Sequence, residues 1–133
     1  MKVDGHCHCG LITYEAEVDP ERVEICHCTD CQTLSGSAFR TVVPVIEGRF
    51  AISSGQPRTY VKTAESGNRR AQLFCPDCGT PICSTDAGGG ASVYLRVGTV
   101  RQRDALVPKK QYWFRSAQHW IADIAALPKV QKQ

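Results

Sequence analysis

The sequence predicts one mainly β domain with a single short helix near its C-terminus. Three observations lead there. The length, 133 residues, lies within the usual range of one domain and is enough to enclose a core. Short alternating or β-branched stretches recur along the chain, separated by turn-forming residues. Apolar residues at helical spacing stand out in only one segment.

Strands are expected in order over 11–16, 23–28, 39–46, 49–53, 59–62, 71–74 and 93–97, where β-branched and aromatic residues gather. Glu47-Gly48, Ser54-Gly55-Gln56-Pro57, Ser66-Gly67-Asn68 and Gly88-Gly89-Gly90 supply the turns between them. The helix is expected over 117–127, with Ala117, Trp120, Ile121, Ile124 and Leu127 on the face that packs on the sheet. Ser116 is its expected N-cap and Pro128 its terminator. The tail over 129–133 is short and polar, so a frayed end is expected.

Composition narrows the function classes. With 42% hydrophobic and 22% charged residues, and no apolar run near the roughly 18 residues of a membrane span, no membrane partner is expected. The N-terminus reaches its first cysteines without the apolar stretch of a secretory signal, so a cytoplasmic protein is expected. Eight cysteines in a reducing compartment point to metal binding or thiol chemistry in preference to disulfides.

Seven cysteines fall into three clusters: Cys7-His8-Cys9, Cys26-His27-Cys28-Thr29-Asp30-Cys31 and Cys75-Pro76-Asp77-Cys78-Gly79. A C-x-C pair on an extended strand points both sulfurs to one face. A C-x-x-C pair on a tight turn converges two sulfurs on one point. Cys7, Cys9, Cys75 and Cys78 therefore make one tetrahedral four-thiolate zinc site, closed and structural, that staples the N-terminus to mid-chain. A thioredoxin-like reading of Cys75 and Cys78 lacks its βαβ context.

Cys26, Cys28 and Cys31 remain, three ligands for a second zinc. A catalytic zinc keeps three protein ligands and an open position, whereas a structural one is closed by a fourth. Cys83 could reach the second metal as a fourth ligand, but a lone cysteine after Thr80-Pro81-Ile82 is most often a small buried hydrophobe. His27 should point away from its cysteine neighbours and serve in packing or hydrogen bonding. His6 and His8 read as surface or supporting residues. Two zinc ions per chain would cancel the formal charge of +3, since four thiolates around zinc add about two negative charges and three add about one. With no basic run and only 8% aromatics, nucleic acid is not an expected partner.

These residues resemble the glutathione-dependent formaldehyde-activating enzyme family, whose relatives include centromere protein V-like proteins. The resemblance rests on Gly5-His6-Cys7-His8-Cys9-Gly10 with Tyr14, on Cys26 to Cys31 leading into Ser35-Gly36-Ser37-Ala38-Phe39, and on Phe74-Cys75-Pro76-Asp77-Cys78-Gly79-Thr80-Pro81. Val97-Gly98-Thr99, Pro108, Ser116 and Trp120 complete it. It implies an Mss4-like fold of several small antiparallel sheets stapled by zinc, and the same partition of ligands, with Cys26, Cys28 and Cys31 holding the catalytic ion. It implies glutathione as the thiol partner and formaldehyde as the electrophile, joined to S-hydroxymethylglutathione, so the formal class is a carbon-sulfur lyase. Two departures bear on the substrate more than on the fold. Val100-Arg101-Gln102-Arg103 stands where many relatives carry an acidic pair, and Gln111 where a histidine is common.

A zinc held by three thiolates is a weak Lewis acid toward water but a good seat for a soft thiol, which it would deprotonate. Thr29, Asp30 and Ser35 are candidates for hydrogen bonds to the sulfurs. Arg40, Arg69, Arg70, Lys109, Lys110 and Arg115 are candidate partners for glutathione's carboxylates, with a solvated surface role as the plainer reading of each. A non-catalytic zinc-stabilised interaction module, or an enzyme of the same family acting on another thiol or small electrophile, are the competing functions.

Overall fold

The computed structural model describes residues 1–133. Nine strands and one α-helix follow along the chain: β1 (Lys2–His6), β2 (Thr13–Val18), β3 (Glu24–Cys26), α1 (Thr29–Ser35), β4 (Arg40–Ser54), β5 (Arg58–Thr63), β6 (Arg69–Phe74), β7 (Pro81–Asp86), β8 (Val93–Arg96) and β9 (Lys110–Tyr112). Short 3-10 turns occupy Pro20–Arg22, Val97–Thr99, Arg103–Ala105, Phe114–Ser116 and Ile121–Ala126. The mainly β class expected from the pattern holds. No helix is long and apolar enough to cross a membrane.

The strands join in the order β1-β2-β4-β8-β7-β6-β5, with β3 added to β4 and β9 to β3. Every pairing is antiparallel except β3 with β9. The antiparallel pairings meet on β4, which joins them into one nine-stranded sheet. The first half of β4 pairs with β3 and β8, and its second half with β2. Two strands were expected here, with a turn at Glu47-Gly48. The chain instead runs on through an exposed irregularity in which Gly48 takes a φ of +73°. Glycine adopts that conformation without the Cβ penalty, so the strand bends instead of reversing.

Register sorts the side chains into two faces. Val43, Leu95 and Cys83 are cross-strand neighbours, and all three lie in the apolar core with Ile12, Tyr14, Val18, Ile82 and Val100. Each fully buried aliphatic side chain there contributes about 1.5–3 kcal/mol. Gly5 sits opposite Tyr14 across β1 and β2, and a Cβ on it would collide with the Tyr14 ring and the Thr99 carbonyl. The Tyr14 hydroxyl meets Thr99 Oγ1 at 2.8 Å. Three residues of the family resemblance are therefore one packing contact.

The C-terminal helix is present only as 3-10 turns over Ile121–Ala126, not as an α-helix over 117–127. Trp120, Ile124 and Leu127 are exposed, so the apolar face expected to pack on the sheet is largely uncovered. The segment has no side-chain N-cap, and so short a stretch without packing does not sustain α-helical turns. Conversely, α1 was not expected at all.

Candidate metal centres

The first centre joins two turns. Cys7 follows β1 at a hairpin tip, where Gly10 donates its N–H to the Cys7 carbonyl at 3.1 Å and Ile12 donates to Cys7 Sγ at 3.2 Å. Cys75 follows β6 and opens a turn closed by Gly79 N–H on the Cys75 carbonyl at 2.9 Å, with Gly79 at a φ of +74°. Thr80 locks the two turns together: its hydroxyl accepts from His8 N–H at 3.1 Å and meets Cys78 Sγ at 3.1 Å. That hydroxyl, then the backbone N–H groups of Thr80 and Cys9, pull the Cys78 thiol down to about 5.

The four sulfurs of Cys7, Cys9, Cys75 and Cys78 all lie within 4.8 Å of one another. Cys7 and Cys9 are 3.6 Å apart at sulfur, and Cys9 and Cys75 are 3.7 Å apart. Those separations are far beyond a disulfide bond. A tetrahedron with metal–sulfur bonds of about 2.3 Å has edges of about 3.8 Å, so the donor set fits a metal such as zinc. One expectation is corrected: Cys7-His8-Cys9 lies in a turn beyond β1, not on a strand, and the sulfurs converge through the turn.

The second centre is local. Cys26 ends β3, Cys28 is the N-cap of α1 and Cys31 lies in its first turn. The Cys28 sulfur caps the helix by accepting the Cys31 N–H at 3.3 Å, the role usually taken by Ser or Asp. The three sulfurs lie within 4.8 Å of one another. They compete for protons: Cys31 lowers Cys26, while Cys26 and then burial raise Cys31. Gly36, at a φ of +64°, closes the helix after two turns.

His27 takes the role expected of it. It is fully buried, its Nε2 meets Gln111 Oε1 at 2.7 Å, and Phe39 and Phe114 pack edge-on at 5.6 and 5.5 Å. Cys83 does not join the second cluster. It is buried in β7 within the apolar core, and burial pushes its thiol up to about 11. The hydrogen bonds suggested from Thr29, Asp30 and Ser35 are not made: Asp30 pairs with Lys62 at 2.7 Å and Ser35 Oγ donates to the Gln32 carbonyl at 3.3 Å.

A family model described as glutathione-dependent formaldehyde-activating enzyme matches residues 2–116. The chain belongs to this family. No curated protein matches it in sequence. A crystal structure of a Rhodobacter sphaeroides protein, a structural-genomics target, is similar at a TM-score of 0.61 and 16% identity, covering 81% of this chain and 98% of that one. At that identity the likeness speaks for the fold.

In this member of the formaldehyde-activating family, both departures from the common pattern have structural partners. Arg101 Nε and Gln102 Nε2 each donate to the Asp4 carboxylate at 2.7 Å, clamping β1 to the turn after β8. Gln111 holds His27 behind the second cluster. Beside Cys28 a cavity of about 420 Å³ is bounded by Asp30, Lys62, Trp113, Arg115 and Ser116. Trp113 is the one residue other than glycine with a positive φ, 55°, and Arg115 stacks on its ring at 4.9 Å. Such a conformation is costly for a bulky residue and is often found beside functional sites.

The basic candidates divide sharply. Arg70 is paired with Asp86, Lys109 with Glu21 at 3.3 Å, and Lys110 lies over Tyr112 at 5.1 Å. Arg40 is buried, against the surface reading given to it, and Arg96, which sequence reasoning did not single out, is buried beside it.

Proposed function

We propose that the chain is a zinc-dependent carbon-sulfur lyase that condenses glutathione with formaldehyde to S-hydroxymethylglutathione. The observation that carries this is the grouping of Cys26, Cys28 and Cys31 without a fourth protein sulfur, next to a cavity. Cys7, Cys9, Cys75 and Cys78 hold a structural zinc, and Cys26, Cys28 and Cys31 hold the catalytic one. Cys26, Cys28 and Cys31 would hold the ion, which would supply a cationic seat that favours loss of the proton from an incoming thiol.

The chain's own residues then orient and shield. Cys26, Cys28 and Cys31 hold the metal and are not themselves nucleophiles. His27, fixed by Gln111 and two aromatic rings, stiffens the segment that presents them. Gln32 donates to the His27 and Ser116 carbonyls at 2.7 and 2.9 Å, and so ties α1 to the segment that carries Trp113. In the overall addition a carbon–sulfur bond forms, the carbonyl π bond opens, and the thiol proton ends on the new hydroxyl; nothing is oxidised or reduced.

The test is the rate of adduct formation above the spontaneous reaction, followed by exchange NMR on protein with about two zinc ions per chain. The reading predicts acceleration that Cys31→Ser abolishes in a folded protein. No acceleration, or full activity of that variant, overturns it.

A further inference from the structure

The face of the sheet that carries Cys26 also carries an unusual pair of cations. Cys26 lies opposite Arg40 across β3 and β4, and Val42 lies opposite Arg96 across β4 and β8. Alternation puts Arg40, Val42 and Arg96 on one face with Cys26, away from Val43 and the apolar core. Both arginines are only 7% exposed. They converge on one amide: Gln72 Oε1 accepts from Arg40 Nη1 at 3.2 Å and from Arg96 Nη2 at 2.7 Å.

No carboxylate balances them. The four ion pairs of the chain engage Lys62, Arg70, Arg101 and Lys109. The Nε atoms of Arg40 and Arg96 are buried without any hydrogen-bond partner. Buried charges are normally paired, and buried donors normally satisfied. Burial, and then Arg40 itself, press the Arg96 guanidinium below its ordinary value. Even the roughly one net negative charge of a zinc held by three thiolates leaves about one positive charge in excess.

The two arginines line a cavity of about 330 Å³, bounded by Leu34 of α1, Tyr60, Leu73 and Phe74. Leu34 is one helical turn beyond Cys31, so the cavity and the three-cysteine centre share the helix as a wall. Planar, forked donors in a partly apolar enclosure are suited to a planar anion.

We propose that Arg40 and Arg96 form a carboxylate subsite, which receives the acid end of a thiol whose sulfur goes to Cys26, Cys28 and Cys31. The sulfur half of this statement rests on the proposed function; the carboxylate half does not.

The experiment compares 3-mercaptopropionate with its methyl ester, and propionate with methyl propionate, by calorimetry on the metal-loaded protein. Cobalt-substituted protein reports arrival of the sulfur through its thiolate absorption. The acid of each pair is expected to bind about tenfold or more tightly than the ester, and Arg40→Gln or Arg96→Gln to bring the ratio near one. Equal binding of acid and ester to the wild type overturns the subsite, as does a preference that survives in both variants. If a glutamine variant fails to fold, Arg40→Lys and Arg96→Lys keep the charge but lose the fork. The ratio then falls several-fold, and an unchanged ratio overturns the proposal. A cobalt spectrum that ignores added thiol counts against the thiol reading of the cysteine centre, while the propionate pair still judges the subsite.

Discussion

The two cysteine clusters are assembled from the chain in opposite ways. In the four-sulfur cluster the contact between Cys9 and Cys75 spans 66 positions of sequence, and it joins a turn after β1 to a turn after β6. A metal there encloses the chain between them, so its binding free energy is also folding free energy. In the three-sulfur cluster all three cysteines fall within Cys26 to Cys31, on the end of β3 and the first turn of α1. That segment is already held by β4, β9 and the buried His27. On the proposed function, the long sequence separation suits the four-sulfur cluster to a staple, and the local span with one sulfur fewer suits the other to a reactive centre.

The largest effect is expected from Cys75→Ser. It should remove the staple and several kcal/mol of stability, a large part of what a domain of this size possesses. Chemical denaturation with zinc analysis checks this, and a variant of wild-type stability would break the comparison. Next comes Cys31→Ser, which should lower turnover by at least about a hundredfold while denaturation shows a folded protein. Gly5→Ala should cost about 1–3 kcal/mol by forcing the Tyr14 ring and Thr99 apart. Because Gly5 lies just before Cys7, chelator competition should show faster metal loss from the four-sulfur cluster alone.

The smallest effect sharpens the comparison at Cys78. Its folded-state value of about 5 lies below the ordinary thiol value of 9.0. A depressed value means a stability contribution fully present above about pH 9 and lost as pH falls through about 5. Denaturation of metal-free protein across that window should therefore show a steeper fall for the wild type than for Cys78→Ser. Parallel curves would contradict the assignment.

Much of this was legible because cysteine spacing is a local code. C-x-C and C-x-x-C each announce a half-site, and counting sulfurs gives the same two groups whose sulfurs lie within 4.8 Å of one another in the fold. Alternation also placed His27 correctly. Helix α1 was invisible to periodicity because Thr29-Asp30-Cys31-Gln32-Thr33-Leu34-Ser35 has a single aliphatic residue; its signals were the capping sulfur of Cys28 and the terminal Gly36. The C-terminal apolar spacing misled in the other direction, since Trp120, Ile124 and Leu127 recur helically yet stay exposed. Arg40 was read as surface because arginine usually is. Only the pairing of β3 with β4, a long-range fact, puts it opposite Cys26.

The central claim is that the second centre has three protein sulfurs and room for a fourth. X-ray absorption at the zinc edge counts them directly. With four sulfurs at one site and three at the other, the average is about 3.5 per zinc without thiol and about 4 once glutathione is added. An average of 4 from the start, unchanged by glutathione, would mean that the centre is closed and the account of its chemistry wrong.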